Sequence, residues 1–248
     1  MLLKNLINNL KPNTSALKIR GISFDSRSTK KGDLFISIKG EKFDGNDYVN
    51  QATSKGASAV VHSQSVKKNK KIIYIRVKDT RETLARLSTK YYKNKPKNII
   101  AVTGTNGKSS VADIFRQLLC LNHVPVASIG TLGIYINSKK KESNLTTPDI
   151  ITLHKTLQKI KKKGIENVII ETSSHGLKQG RLNGIYFNIG IFTNFSRDHL
   201  DYHKSIKEYF NSKMLLLNSH MKKNKYFLVE NDIPEIKKIK KILKKNRL

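Results

Sequence analysis

The chain is short of acidic residues, has a single cysteine and contains no long apolar run. No apolar stretch approaches the ~18 to 20 residues that cross a bilayer, so no membrane insertion is expected. The opening MLLKNLINNLKPNTS has a short apolar patch, without the long apolar core and small-residue cleavage site of a secretory leader. A lone Cys120 excludes an intrachain disulfide and a cysteine zinc site, and it fits a reducing, cytoplasmic setting. Asp and Glu number 18 against 48 Lys and Arg, a formal charge of +30. That imbalance suits either a polyanion partner or a lysine bias spread over solvated faces. The lysines occur throughout the chain, which favours the second reading. A basic nucleic-acid or membrane-surface protein remains the alternative, but there is no aromatic-rich basic platform for stacking bases. The end, EIKKIKKILKKNRL, spaces Ile236, Ile239, Ile242 and Leu243 at helical intervals between lysines. Such a helix either lies on a membrane surface or packs one apolar stripe on a sheet.

What is present divides near residue 95. Before it, GDLFISIKG, ASAVVH and KIIYIRV read as short strands. Residues 47–56 read as a helix, and Asp79 caps another running to about Tyr92. KNKPKN then reads as a linker. From Asn98 onward apolar strands alternate with helices: NIIAVTG, VPVASIG, NVIIETSS, NIGIFTN and KYFLVEN are strands. The helices between them cover residues 109–122, 150–163 and 205–220, with the basic tail as the last. The expected fold class is α/β: a small N-terminal α/β domain, then a doubly wound, mostly parallel sheet. The length of 248 residues suits one or two domains.

The stretch TGTNGKSS, residues 103–110, joins a strand to a helix. The phosphate-loop pattern is G-x-x-x-x-G-K-[ST]. Val102 stands where its first glycine would be, so the strict pattern fails. The physical parts are there. Gly104 and Gly107 allow backbone N–H groups to turn toward phosphate oxygens. Lys108 supplies positive charge, the Ser109 hydroxyl can ligate Mg²⁺, and the helix adds its positive end.

Ligands of α/β sheets bind beyond the carboxyl ends of the strands, and two further strands end in polar clusters. In IIETSSHGLKQGR, Glu171 closes an apolar strand where an unpaired carboxylate is costly. A metal ion or a hydrogen-bonded loop explains it, and the G-x-S-x-G elbow of a serine hydrolase is absent. In IFTNFSRDHLDYH, the residues Asn194, Arg197, Asp198, His199, Asp201 and His203 crowd together. The spacing lacks H-E-x-x-H, so zinc is a poorer reading than a histidine beside a Mg²⁺-nucleotide site.

Taken in order, TGTNGKSS, LTTPD, ETSSHGLKQGR and FTNFSRDHLDYH followed by NSKM resemble the Mur ligases of peptidoglycan synthesis. FDSRSTKKGDLFISIKGEKFDGNDYVNQATSKGASAVV is similar to that family's UDP-binding domain. The likeness covers nearly the whole chain and is strongest to the type that adds the third amino acid. Folylpolyglutamate synthases share a similar loop but do not fit the DSR, TTPD or SSHGLKQGR segments.

The resemblance implies a UDP-muramoyl substrate domain over residues 1–95 and a truncated ATP-binding central domain over 96–248. It implies that Ser26 contacts the uridine nucleotide, and that Thr146, Thr147, Ser173, Gln179 and Arg181 hold UDP-MurNAc-L-Ala-D-Glu. Gly104, Thr105, Asn106, Gly107, Lys108, Ser109 and Ser110 would hold ATP. Ser109, Glu171 and His199 would bind or surround Mg²⁺, and Lys213 would be the carbamylated lysine. The implied reaction is ATP-dependent amide formation through an acyl phosphate, with meso-diaminopimelate or L-lysine as the incoming amino acid. Nothing in the chain resembles the family's motif for choosing that amino acid, often written DNPR. The C-terminal domain is therefore expected to be missing or supplied by a separate chain. The alternative is an inactive fragment that only binds UDP-muramoyl-dipeptide and ATP.

Overall fold

A computed structural model describes residues 1–7, 16–40 and 43–246. Parts of the opening segment (8–15), of the UDP-binding resemblance (41–42) and of the basic tail (247–248) lie outside the described residues. Two compact units are present, Met1–Lys93 and Asn94–Leu248.

The first unit carries four parallel strands in sequential order: β1 (Gly21–Ser23), β2 (Asp33–Ile36), β3 (Ala59–His62) and β4 (Ile73–Arg76). Helix α1 (Val49–Ser54) buries Val49 and Ala52 against Phe35 and Val60. A 3-10 turn, Gly45–Tyr48, precedes it where the sequence suggested one continuous helix. The Asp79 carboxylate accepts the N–H groups of Arg81 and Glu82 and so starts α2 (Thr80–Tyr91).

The second unit is built on a seven-stranded sheet. Its strands are β5 (Asn98–Thr103), β6 (Val126–Gly130), β7 (Gly133–Ile136), β8 (Lys139–Lys141), β9 (Asn167–Glu171), β10 (Phe187–Phe192) and β11 (Met221–Val229). Their order is β11-β10-β5-β9-β6-β7-β8. The run from β11 to β6 is parallel, and β7 and β8 add an antiparallel edge. Adjacent residues of a buried strand point to opposite faces, and both faces are covered here. Ile99, Ala101, Val168 and Ile170 pack on Leu153, Leu157 and Ile160 of α4 (Ile150–Lys162). Ile100, Val102 and Ile169 pack on Ala112 of α3 (Lys108–Leu121). Covering both faces is what makes the central strands read as unbroken apolar runs.

Three shorter features complete the site's scaffold. The strand expected through Ser174 stops at Glu171, because the Ser173 hydroxyl accepts the Gly176 N–H and caps a one-turn helix, α5 (Ser174–Lys178). Helix α6 (Ile206–Leu215) is capped by Ser205 and runs on as a π-helical turn, Leu216–His220. In α7 (Ile236–Asn246), Ile239 is fully buried and Ile236, Ile242 and Leu243 join Phe192, Phe210 and Met214. That corrects the membrane-surface alternative for this helix: its apolar stripe is occupied by the domain's own core. Among the described residues no helix is long and apolar enough to cross a membrane.

Candidate active site

Parallel register brings three strand ends together. Glu171 of β9 stands beside Val102 of β5, and Phe192 of β10 stands beside Thr103. The loops that leave these strands therefore meet at one rim.

The loop after β5 is held open by backbone geometry. Gly107 sits at φ +79° and caps α3 without a side-chain acceptor, leaving the helix N–H groups free to face a ligand. Gly104 has φ +145°, and a Cβ there would lie 2.0 Å from the Thr193 hydroxyl. Only glycine allows this approach. The segment after β10 laces onto the loop through a set of hydrogen bonds, with backbone and side chains both taking part. Asn106 N–H donates to Asn194 Oδ1 (2.9 Å), the Thr193 hydroxyl donates to the Asn106 carbonyl (2.6 Å), and Ser196 N–H donates to Thr105 Oγ1 (3.0 Å).

Two lysines converge on this loop. Lys108 Nζ donates to the carbonyls of Gly104 (3.0 Å) and Thr105 (2.7 Å). Lys213, on α6, is 1 % exposed, and its Nζ donates to the same Gly104 carbonyl (2.5 Å) above the Tyr209 ring. Burial first, and then the charge of Lys108, push the Lys213 pKa down to about 7. Its amine is thus appreciably neutral at physiological pH. Burial also lowers the Lys108 pKa, opposed by Glu171 and Asp198.

Glu171 is 1 % exposed, and its partners are neutral donors. Ser109 Oγ reaches Oε2 at 2.9 Å, the Thr131 hydroxyl reaches Oε2 at 3.2 Å, and Thr131 N–H reaches Oε1 at 3.0 Å. Gly130 makes this possible, since a Cβ there would fall 1.9 Å from Oε1. Gly130 and Thr131 were not expected from the sequence. Gly130 ends the strand VPVASIG and Thr131 follows it, and the rule applied to the other strand ends would have found them.

The substrate candidates gather beside this carboxylate. Thr147 is buried, donates to the Glu171 carbonyl (2.7 Å) and accepts the Ser173 N–H (3.0 Å). Arg181 donates Nη1 to the Thr147 carbonyl (2.7 Å), and Nε and Nη2 to Gln179 Oε1 (2.9 and 2.6 Å). Gln179 in turn donates to the Tyr202 hydroxyl (3.1 Å). Thr146 meets the Thr131 hydroxyl at 3.0 Å. A cavity of about 540 Å³ is lined by Lys108, Ser109, Thr131, Thr146, Arg181 and Lys213, among others.

His199 lines the same cavity but is exposed, at φ +52°, with Nε2 3.4 Å from Asp198 and its ring against His175. Arg197 and Asp201 are exposed on the same loop. His203 is buried instead, bridging the hydroxyls of Ser174 (3.0 Å) and Ser212 (3.4 Å). Burial, with His175 nearby, pushes its pKa down to about 4. Ser26 belongs to the first unit, where it is buried and donates to Gln51 Oε1 (2.5 Å).

The donor set fits a Mg²⁺ ion better than a structural metal. Among the described residues no three His, Cys, Asp or Glu side chains cluster for a metal. Mg²⁺ asks for less, because it keeps several waters and shares phosphate oxygens with one or two carboxylates. Buried Glu171, whose carboxylate accepts from Ser109 and Thr131 and from no charged donor among the described residues, supplies that.

A glycine loop between strand and helix, two convergent lysines and a buried carboxylate form an arrangement in an α/β domain that can hold phosphate groups. The profile of the Mur ligase middle domain matches residues 102–248, and that of the Mur ligase family catalytic domain matches 18–92. The chain belongs to the Mur ligase family. It is 41 % identical over 242 residues to the UDP-N-acetylmuramoyl-L-alanyl-D-glutamate–2,6-diaminopimelate ligase of Rickettsia conorii, covering 95 % of this chain and 50 % of that protein. A solved ligase of the same name superposes with a TM-score of 0.81 at 29 % identity, over 99 % of this chain and 50 % of the other. The MurF ligase of Thermotoga maritima, solved with ADP, shares the fold at 22 % identity and a TM-score of 0.63, covering 92 % of this chain and 49 % of that one. The chain spans about half the length of the curated relatives it matches.

Proposed function

We propose that these residues form the nucleotide and UDP-muramoyl-dipeptide sites of an ATP-dependent amide ligase in peptidoglycan precursor synthesis. One observation carries the reading: a single cavity is lined both by the phosphate loop with its lysines and by Thr146, Thr147, Ser173 and Arg181. A phosphoryl donor and a carboxylate acceptor can meet there.

In this reading a carboxylate of the D-glutamyl residue attacks the γ-phosphorus of ATP, ADP leaves, and an acyl phosphate forms. The amine of the incoming amino acid then attacks the acyl carbon, phosphate leaves, and the amine loses a proton. Given the name of the relatives, meso-diaminopimelate is the amine we favour over L-lysine. The loop N–H groups and Lys108 stabilise charge spread over the transferring oxygens. Arg181 keeps guanidinium N–H groups beyond its two protein acceptors and so can receive a carboxylate or carbonyl. Ser109 and Glu171, with His199 nearby, would hold Mg²⁺, which neutralises phosphate charge when bound. The neutral amine of Lys213 suits reaction with CO₂. The nitrogen lone pair bonds the CO₂ carbon and one amine proton goes to solvent, so the side chain becomes an anion beside that cation, where a protonated lysine would be a second cation. Ser26 is assigned to the uridine end on the family resemblance.

Calorimetric titration of the 248-residue chain with UDP-MurNAc-L-Ala-D-Glu, with and without Mg-ATP, tests this reading. We expect specific binding that Arg181→Ala removes, and no amide formation by the 248 residues alone. A folded chain that binds neither ligand overturns the assignment. Rapid amide formation overturns the expectation that these 248 residues bind without catalysing.

A further inference from the structure

The geometry points to Thr131 as a positioning residue whose hydroxyl couples the nucleotide–metal site to the acceptor-substrate site. The inference rests on the function proposed above. Its physical basis is proton counting. A hydroxyl carries one proton, and an ionised carboxylate only accepts. Thr131 Oγ1 lies 3.2 Å from Glu171 Oε2 and 3.0 Å from Thr146 Oγ1. Because its proton goes to Glu171, Thr131 must accept from Thr146. The Thr146 proton is then turned away from the cavity, and Thr146 can offer a ligand only lone pairs.

When Glu171 directs its charge to a divalent cation, Thr131 no longer has to donate to it. The Thr131 hydroxyl can then turn and donate to Thr146. Thr146, relieved of its own obligation, becomes a donor toward the cavity it lines. A substrate oxygen of carboxylate or carbonyl type is an acceptor, so it gains a hydrogen bond only in this second arrangement. Loading with cation and nucleotide therefore strengthens substrate binding, and the reverse holds by linkage. One hydrogen bond gained at such a site corresponds to about tenfold in affinity. No backbone movement is needed, because Thr131 N–H continues to hold Glu171 Oε1 (3.0 Å).

The test is a calorimetric cycle on the 248-residue chain. UDP-MurNAc-L-Ala-D-Glu is titrated alone, with Mg-AMPPNP, and with AMPPNP in EDTA. Wild type should bind about tenfold tighter with Mg-AMPPNP and gain nothing in EDTA. Thr131→Val frees Thr146 permanently, so it should bind tightly without nucleotide and gain nothing further when it is added. A merely structural role would weaken binding instead. Thr131→Ser should restore wild-type coupling, and Thr146→Val should bind weakly in every arm. Wild type that binds both ligands independently overturns the relay and leaves the proposed function standing, as does a valine variant that keeps the nucleotide-dependent gain. Wild type that binds neither ligand overturns both.

Discussion

Two small differences at single residues decide what this site can do. Gly130 has no Cβ, and that absence lets a carboxylate sit at the end of β9 between two hydroxyls. Adding one methyl group forces Glu171 aside, since the new carbon would overlap both its carboxyl carbon and Oε1. We expect Gly130→Ala to cost about 1–3 kcal/mol of stability through overpacking. It should also weaken Mg²⁺-dependent nucleotide binding more than Mg²⁺-independent binding, measured by titration with and without the metal. Equal losses in both would show that Glu171 does not serve the cation. Lys213 is the second case. A buried amine with a pKa of about 7 has a neutral fraction that an exposed lysine lacks at that pH. Incubation with ¹³C-bicarbonate near pH 8 should give a carbamate carbon signal by NMR that Lys213→Ala abolishes. If the signal survives in the variant, another amine carries it. Lys108 differs in kind, because it stays on the phosphate loop. Its truncation to alanine should weaken Mg-ATP binding by about tenfold or more in a calorimetric titration, since one charged contact to the phosphates is worth about 1.5–3 kcal/mol.

At the scale of elements, the apolar stripe of α7 decides between two readings of one basic helix. Six lysines flank Ile236, Ile239, Ile242 and Leu243, and the sequence pattern alone fits a membrane surface as well as a core. Burial of Ile239 against Phe192 and Met214 separates them. Ile239→Ala should destabilise the second unit by about 2–5 kcal/mol in denaturant titration, the range for losing a large aliphatic side chain from a core. Lys240→Ala should change stability by less than about 0.5 kcal/mol, as exposed substitutions do. A silent Ile239→Ala would mean the helix is not docked. The same contrast shows which parts of the fold were legible. Strands buried on both faces, such as NIIAVT and NVIIE, announce themselves as apolar runs, and glycine and lysine after the first of them mark the loop. The hairpin β7–β8 was not legible, because Lys139–Lys141 is exposed and carries no alternation. Helix α5 was hidden for another reason. A single turn has no period to detect, and only the Ser173 cap betrays it. Glu171 was visible as a carboxylate out of place; its supports Gly130 and Thr131 were visible as one more strand end, and the sheet register is what sets that end beside Glu171.

At the scale of the whole molecule, acid should unfold the second unit earlier than its exposed carboxylates would suggest. His154 is fully buried on α4, with Nε2 against the Asn183 carbonyl (2.9 Å) and Nδ1 without a partner among the described residues. Burial pushes its pKa from 6.5 down to about 4, against the effect of that hydrogen bond. Between those two values the unfolded chain binds a proton that the folded chain refuses. Stability attributable to this group is therefore complete above pH 6.5 and falls as pH drops toward 4. By pH 5 the loss is about 2 kcal/mol, at roughly 1.4 kcal/mol for each pH unit below 6.5. The large net positive charge compounds the effect, because each further proton adds to a chain that already repels itself. Salt screens that repulsion and leaves the buried imidazole untouched. Thermal melts at pH 7 and pH 5, in low and high salt, should then separate the two contributions. We expect high salt to recover only part of the loss at pH 5, and His154→Gln to recover much of the remainder, since glutamine can donate to the Asn183 carbonyl without titrating. A glutamine variant with the same pH 5 loss as wild type at high salt would assign the acid sensitivity elsewhere, with buried His203 the next group to replace.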